Sequence, residues 1–198
     1  MLNRHSIQPR TVCEVGCGAG EVLRQVQTRI PSASLVGWDI SPDAIQLARE
    51  RENEQLRFQC GDFLTTTESF DVVLCIDVFE HVPDYLGFLD TLRARGTFTL
   101  FHIPLDLSAQ WVLRGRPLLK ARNTSGHLHY FTKDTALATL ADAGYQVVDW
   151  FYTTGHLATS TASMKSRFLR LPRVTVAAVS KDFAVRLLGG YSLLVLCR

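Results

Sequence analysis

The sequence predicts an α/β fold, in which helices cover both faces of a mostly parallel sheet. Apolar stretches of strand length alternate along the chain with stretches that have the apolar spacing of amphipathic helices. One strand candidate, FDVVLCID at 70–77, is almost entirely apolar, as expected for a parallel strand covered on both faces. A glycine-rich turn, GCGAG at 16–20, joins the first strand to the first helix, which is typical of sheets that bind ligands at one edge.

The elements follow one another in a regular order. The predicted strands are 11–16, 34–40, 56–62, 70–77, 97–103, 145–152 and 191–197. The predicted helices are 21–30, a helix that begins at Pro42, a helix around 84–95, and 133–143. Ser41 and Thr132 have side chains that cap helix N-termini, and Gly144 is a typical residue for a helix C-terminus. Strands joined by helices in this way form parallel pairs through right-handed crossovers.

Length and composition fit a single domain over residues 1–198. The chain is 46% hydrophobic and 20% charged, which excludes a disordered protein. Two segments, 104–128 and 153–188, interrupt the alternation and are predicted to be insertions on the substrate side. The chain has no signal-peptide pattern and no apolar run of membrane-spanning length, so we expect a cytoplasmic protein.

The five cysteines form no CxxC pair and no zinc-binding spacing. Three of them, Cys13, Cys60 and Cys75, lie in apolar stretches with strand character, where a thiol packs as a small hydrophobic group. We therefore expect reduced, buried thiols.

The glycine-rich turn contains Gly16, Gly18 and Gly20, and Glu14 precedes it. Glycines let the backbone approach a ligand that a side chain would block. The dinucleotide pattern G-x-G-x-x-G is not met, because Glu21 stands where the third glycine would be. An acid at the start of a helix would also repel a pyrophosphate. The turn therefore predicts a ligand that is not held by its phosphates, or else only a tight turn.

Three acidic residues come at the ends of predicted strands: Asp39, Asp62 and Asp77. Because the C-terminal ends of parallel strands meet at the edge of an open sheet where ligands bind, we expect these acids to line one site. Asp39 is placed to accept hydrogen bonds from both hydroxyls of a ribose. Asp62 is placed to accept one from an exocyclic amine, while Phe63 packs on a base.

Several stretches resemble the motifs of class I S-adenosylmethionine-dependent methyltransferases: EVGCGAG (14–20), GWDISPDAI (37–45), CGDF (60–63) and FDVVLCIDVFEHVPD (70–84). The last of these, together with GHLHYFTKDTALATLADAGY (126–145), is similar to the subgroup that includes quinone O-methyltransferases. The resemblance covers nearly the whole chain. It implies a Rossmann-like sheet of seven strands whose last strand, 191–197, is antiparallel, and it implies S-adenosyl-L-methionine as the cofactor.

The resemblance also implies which residues contact the cofactor. These are Glu14, Gly16, Cys17, Gly18, Gly20, Asp39, Ile40, Asp62, Phe63 and Asp77, with the methionine end near Asp77. Some quinone O-methyltransferases bind a divalent metal through an acid-x-x-Glu-His pattern, which Asp77, Glu80 and His81 match. The same letters occur in members without a metal, so the sequence assigns no metal ligands.

Methylation of a hydroxyl also needs a base, and a histidine suits that task near neutral pH. His81, which follows the fourth strand, is the favoured candidate for the catalytic base, and His127 is the second. The alternative for His81 is a structural bond to the backbone at a helix start. His102 ends a buried strand and is expected to be structural.

The acceptor is the least specific part of the prediction. WVLRGRPLLKAR (111–122) and MKSRFLRLPR (164–173) mix basic and apolar residues, and residues 106–198 carry a net charge of +7 against −5 for residues 1–105. This composition suits an anionic membrane surface, an acidic lipid-linked or glycan-linked acceptor, or RNA, and it also occurs on ordinary amphipathic helices.

The leading interpretation is methyl transfer to a small-molecule or lipid-linked or glycan-linked acceptor, at a hydroxyl. Peripheral membrane contact and a homodimer are left open. One alternative is an RNA methyltransferase, although nucleic acid is disfavoured because the chain shows no added RNA-binding module. The other alternative is a protein of this fold that binds the cofactor without turnover.

Overall fold

The computed structural model describes residues 1–154 and 180–198, and these contain one seven-stranded sheet. Its strands are β1 (Thr11–Val15), β2 (Ser34–Asp39), β3 (Leu56–Cys60), β4 (Phe70–Ile76), β5 (Gly96–Pro104), β6 (Val147–Thr154) and β7 (Tyr191–Cys197). The strand order is β3-β2-β1-β4-β5-β7-β6, and only β7 runs antiparallel to its neighbours. The predicted mostly parallel sheet with an antiparallel last strand is confirmed.

The four predicted helices are present among the described residues, and three further helices, α4, α5 and α7, lie in the segments predicted as insertions. They are α1 (Glu21–Arg29), α2 (Pro42–Arg49), α3 (Tyr85–Arg95), α4 (Ala109–Arg114), α5 (Arg116–Lys120), α6 (Lys133–Asp142) and α7 (Lys181–Leu188). The side chain of Ser41 caps α2, and Thr132 and Thr135 form a reciprocal capping box at α6. The short helices α4 and α5 lie in the segment 104–128, which was predicted only as an insertion.

The core consists of two apolar clusters on opposite faces of the sheet. One cluster joins α1 and α2 to the strands through residues such as Leu23, Ile45 and Phe58. The other joins α3 and α6 to the strands through residues such as Leu89 and Leu140. Neighbouring residues of β1 alternate between the two clusters, because successive side chains of a strand point to opposite faces. Helices on both faces therefore hold the sheet, and the ends of its strands are left for a ligand.

Two expectations need correction or restriction. Cys60 is exposed, because it is the last residue of β3, which lies at the sheet edge, whereas Cys13 and Cys75 are buried as expected. The predicted insertion 153–188 and the basic stretch 164–173 fall largely outside the described residues. Within the part that the structure describes, no helix is long and apolar enough to cross a bilayer.

Candidate active site

A cavity of about 480 Å³ lies where the parallel strands end. This volume is within the range of small-molecule sites. Six of the ten residues assigned to the cofactor line it, namely Gly16, Asp39, Ile40, Asp62, Phe63 and Asp77. His81, the favoured catalytic histidine, lines it as well. The other four assigned residues, Glu14, Cys17, Gly18 and Gly20, do not line it.

The three glycines of the turn all have positive φ, but their surroundings differ. A Cβ on Gly16 would lie 2.6 Å from the Val78 side chain, and one on Gly20 would lie 2.3 Å from the Phe58 ring. A Cβ on Gly18 would meet no atom within 4 Å. Gly16 and Gly20 are therefore required by packing, whereas Gly18 leaves open space in front of the turn.

Asp39 at the end of β2 holds the glycine-rich turn in place. Its Oδ2 accepts a hydrogen bond of 2.8 Å from the backbone N–H of Gly18, and its Oδ1 accepts one of 2.8 Å from the N–H of Ser41. Each carboxylate oxygen has two lone pairs, so one remains on each oxygen toward the cavity. Asp39 therefore connects the turn, the start of α2 and the cavity.

Asp62 and Phe63, which follow the third strand, both line the cavity. Asp62 Oδ1 accepts a hydrogen bond from the N–H of Leu64 and caps a short 3-10 turn, Phe63–Thr65. Phe63 is only 2% exposed and lies edge-on to Trp38, with 6.1 Å between the ring centroids. Because most of the Phe63 ring is already covered, the exposed apolar side chain beside Asp62 is that of Leu64.

Asp77, after β4, has an unusual backbone conformation and a histidine partner. Its φ is +53°, which is uncommon for a residue other than glycine. Its Oδ1 lies 2.7 Å from Nδ1 of His102, and Nε2 of His102 lies 2.8 Å from the hydroxyl of Thr153 on β6. His102 thus holds Asp77 at the cavity wall, in agreement with the structural role expected for it.

Glu14 and Cys17 lie beneath the turn and not in the cavity. Glu14 is 2% exposed, and burial raises its pKa to about 8, although a backbone N–H at Leu23 in α1 opposes part of the rise. Cys17 is buried, and its thiol donates to the carbonyl of Gly18. Both side chains are buried next to the turn and outside the cavity lining. Contact of Glu14 and Cys17 with the cofactor therefore stays a prediction.

The two candidate catalytic histidines lie side by side, but only one faces the cavity. The ring centroids of His81 and His127 are 5.0 Å apart. His127 is buried behind His81, and its Nδ1 lies 2.6 Å from Oδ2 of Asp106. His129, two residues further on, contacts the carbonyl of Val82.

Asp106 is a further acid that follows a strand and is not among the predicted site residues. It follows β5, which ends at Pro104, and so lies at the same edge as Asp39, Asp62 and Asp77. The backbone N–H groups of Leu128 and His129 donate to the carbonyl of Glu80, which brings the His127 loop against the turn after β4.

Comparison with known proteins places the chain in a family. Residues 2–149, three quarters of the chain, match the family described as methyltransferase domain. The chain belongs to this methyltransferase domain family. The match covers the glycine-rich turn, all three strand-end acids and both candidate histidines.

Similar proteins include methyltransferases with different acceptors. Trans-aconitate 2-methyltransferase of Mycolicibacterium gilvum is 28% identical over 142 residues, which are 70% of this chain and 55% of that protein. Ubiquinone biosynthesis O-methyltransferase of Actinobacillus pleuropneumoniae is 29% identical over 43% of this chain and 40% of its own length. The matches span between 29% and 55% of the first three relatives.

A solved structure supports the fold. Magnesium protoporphyrin IX methyltransferase from Synechocystis PCC 6803, crystallised with bound SAH, has a TM-score of 0.65 and 18% identity. The comparison covers 99% of this chain and 77% of that chain. At this identity the likeness concerns the fold alone.

Proposed function

We propose that this protein transfers a methyl group from S-adenosyl-L-methionine to a hydroxyl of a small-molecule acceptor. The observation that carries the proposal is the geometry of the glycine-rich turn. Gly18 leaves open space at the turn, while its N–H is held by Asp39, whose carboxylate faces the cavity. The family match supports the reaction class, and the relative that bears the name ubiquinone biosynthesis O-methyltransferase supports a hydroxyl as acceptor.

The residues of the cavity fit this cofactor from one end to the other. Asp39 keeps a free lone pair on each oxygen, as two ribose hydroxyls require. Asp62 and Leu64 would border the adenine, and the carboxylate of Asp77 would face the methionine ammonium. The cofactor supplies an electrophilic methyl group on sulfur, so the main task of these residues is orientation, which lowers the barrier by several kcal/mol.

His81 is the side chain that we assign to the acceptor. It lies on the cavity wall after β4, close to Asp77, where the reacting end of the cofactor would be. A hydroxyl becomes a better nucleophile as its proton is removed, and His81 is the cavity-lining histidine of the described residues. His127 does not reach the cavity and supports His81 from behind.

An amphipathic surface formed by α4 and α5 supports an acceptor that carries an apolar tail. Leu113 is 87% exposed on α4, and Val112 and Leu119 are also exposed. The same helices carry Arg114, Arg116 and Lys120. We expect Leu113→Glu to reduce co-sedimentation with vesicles of anionic lipid. If the variant sediments as the wild-type protein does, or if the wild-type protein does not sediment with the vesicles, this surface does not bind a membrane.

The decisive experiment separates cofactor binding from methyl transfer. Calorimetry with S-adenosylhomocysteine measures binding, and a radiolabelled methyl group measures transfer to a panel of catechols, quinols and carboxylic acids. The proposal expects binding together with transfer to a hydroxyl compound. Binding without transfer would support the cofactor-binding alternative, transfer only to carboxylates would reject the hydroxyl, and absence of binding would reject the whole proposal.

His81→Ala tests the role of the histidine in the same assay. We expect turnover to fall roughly a hundredfold or more, while affinity for S-adenosylhomocysteine stays nearly constant. If the variant keeps full turnover, His81 does not act on the acceptor.

A further inference from the structure

Three hydrogen-bonded side chains form a line along the cavity edge of the sheet. Asp77 follows β4, His102 lies near the end of β5, and Thr153 lies near the end of β6. Oδ1 of Asp77 is 2.7 Å from Nδ1 of His102, and Nε2 of His102 is 2.8 Å from the hydroxyl oxygen of Thr153. Of the three residues, Asp77 alone lines the cavity, so the line leads from the ligand site to the outer strands.

The donors and acceptors in this line follow from the carboxylate at its cavity end. An ionised carboxylate can only accept hydrogen bonds, so Nδ1 of His102 carries a proton and donates to Asp77. Nε2 of the neutral ring is then an acceptor, and the hydroxyl of Thr153 donates to it. Because both ring nitrogens are bonded, the imidazole is held in one orientation, and it holds the carboxylate in turn.

The backbone of Asp77 is bonded to the same histidine. Its N–H donates to the carbonyl of His102 at 3.0 Å, so His102 contacts Asp77 through both its backbone and its side chain. The φ of +53° at Asp77 is costly for a residue other than glycine and persists only where the surrounding structure imposes it. Backbone strain of this kind clusters at ligand sites, where it places a side chain. The position of the Asp77 carboxylate is therefore imposed by His102.

Part of the Asp77 carboxylate remains available to a ligand. The side chain is 49% exposed, and Oδ2 has no hydrogen-bond partner among the described residues. In the same part of the chain, no lysine or arginine forms an ion pair with Asp77. A neutral imidazole orients a carboxylate and leaves its negative charge in place, whereas a lysine or an arginine would cancel that charge. Asp77 thus presents a fixed carboxylate whose charge can attract a cationic group.

We propose that His102 and Thr153 are positioning residues through which Asp77 recognises the ammonium group of the cofactor. This inference rests on the proposed function, in which the methionine end of S-adenosyl-L-methionine faces Asp77. A binding group that is already held in one orientation loses less entropy when the ligand arrives. The carboxylate held by His102 should therefore bind an ammonium group more tightly than a carboxylate that rotates freely. His102 then contributes to cofactor recognition in addition to the structural role expected from the sequence.

The test compares three ligands that differ only at the methionine end. S-adenosylhomocysteine has both the ammonium and the carboxylate, its deaminated analogue has only the carboxylate, and methylthioadenosine has neither. Calorimetry measures the affinity of each ligand for the wild-type protein and for each variant. A substitution that acts through the ammonium should weaken only the binding of S-adenosylhomocysteine, whereas a general loss of structure should weaken the binding of all three ligands.

Two substitutions of His102 separate its two hydrogen bonds. The amide nitrogen of asparagine is as many bonds from Cα as Nδ1 of histidine, and the amide nitrogen of glutamine is as many as Nε2. His102→Asn therefore keeps a donor for Asp77, whereas His102→Gln loses it. We expect His102→Gln to weaken S-adenosylhomocysteine binding about tenfold, and His102→Asn to weaken it less than about threefold.

The other two members of the line should follow the same pattern. Asp77→Asn keeps a residue type that tolerates positive φ and removes the charge, so it should weaken S-adenosylhomocysteine binding about ten- to hundredfold. Thr153→Val keeps the shape of the side chain and removes the hydroxyl that orients the ring, so we expect a loss of about two- to fivefold. Neither variant should change the affinity for methylthioadenosine by more than about twofold.

His5→Gln is the matched control, because His5 forms another histidine–aspartate pair, with Asp149, outside the cavity. It should bind all three ligands as the wild-type protein does, and thermal denaturation without ligand shows whether each variant is folded. Unchanged S-adenosylhomocysteine affinity in His102→Gln, or an equal loss for all three ligands, would overturn this inference and leave the proposed function standing. If His102→Gln does not fold, unchanged affinity in Thr153→Val overturns the inference instead. A wild-type protein that does not bind S-adenosylhomocysteine would overturn both.

Discussion

Asp39 shows how one side chain can serve both the fold and the ligand. Its two oxygens hold the N–H groups of Gly18 and Ser41, and the remaining lone pairs face the cavity. We expect Asp39→Ala to weaken S-adenosylhomocysteine binding by about 1–3 kcal/mol, because buried hydroxyls would lose a charged partner. Calorimetry measures this change. Asp43→Ala, which removes an acid from the first turn of α2 and outside the cavity, is the control, and an equal loss in both variants would reject the role of Asp39.

Two glycines of the turn offer a matched pair for substitution. Gly18 and Gly20 both have positive φ, +52° and +80°, so an alanine at either position causes similar backbone strain. Gly20→Ala must also displace the Phe58 ring, so we expect it to lose more stability in urea denaturation. Gly18→Ala should keep more of the stability but weaken cofactor binding. Gly18→Val should abolish cofactor binding. Normal binding by Gly18→Val would mean that the turn has no contact with a ligand.

The stability of the protein should depend on pH through Glu14, because burial raises the pKa of this residue to about 8 from an ordinary value near 4.5. The folded state favours the protonated carboxyl, so this stability is complete below about pH 4.5 and is lost as the pH rises through 8. The wild-type protein should therefore lose stability between pH 5 and pH 8.5, whereas Glu14→Gln should not. The free energy of unfolding of the variant minus that of the wild type should be greater at pH 8.5 than at pH 5 by roughly 2 kcal/mol or more.

Urea denaturation at the two pH values measures the effect of Glu14. Glu21→Gln is the control, because hydrogen bonds from Arg24 lower the pKa of Glu21 to about 2, and its effect has the opposite sign. If the difference between Glu14→Gln and the wild type is the same at pH 5 and pH 8.5, the carboxyl is not buried as described.

At the scale of elements, strands and helices could be predicted well because each is encoded locally. Apolar runs and caps such as Ser41 and Thr132 determine where an element begins, and the observed ends of the predicted strands differ by at most two residues. The helices α4 and α5 could not be predicted, because Gly115 divides them and Pro117 follows at once. The contacts of His127 with Asp106 and Glu80 depend on loops folding together, which no local pattern contains.

Asp182 in helix α7 bonds to two residues outside the helix, Lys133 and Tyr152, which makes its part in the attachment of α7 testable. Asp182 accepts hydrogen bonds from Lys133 at 2.6 Å, from the hydroxyl of Tyr152 at 2.5 Å and from Arg186 at 2.7 Å. These partners, Lys133 first, lower the pKa of Asp182 below its ordinary value, so the stabilisation exists above about pH 3.8 and is lost as the pH falls.

We expect Asp182→Asn to reduce the free energy of unfolding at pH 7 by at most about 1 kcal/mol, since the carboxylate is partly exposed and screened by solvent. The deficit should shrink in acid. Thermal denaturation at pH 7 and pH 3 measures it, with Asp90→Asn as a control at an exposed pair with Arg93. An equal deficit at both pH values would show that charge is not what holds α7.

At the scale of the whole molecule, the sheet gathers residues from distant parts of the sequence at one edge. Asp39, Asp62 and Asp77 follow three different strands, and the order β3-β2-β1-β4 brings these strand ends together on either side of the glycine-rich turn. A ligand that contacts all three acids binds the folded chain and not the unfolded one, so binding must add to the stability of the entire domain.

This linkage gives a prediction that involves every part of the site at once. S-adenosylhomocysteine at about one hundred times its dissociation constant should raise the free energy of unfolding by about 2.7 kcal/mol. For a chain of 198 residues this corresponds to an increase of roughly 5–10 °C in Tm. NAD should cause no increase, because Glu21 at the start of α1 repels a pyrophosphate. Scanning calorimetry measures both ligands, and an increase with NAD as large as that with S-adenosylhomocysteine would mean that the edge binds dinucleotides after all.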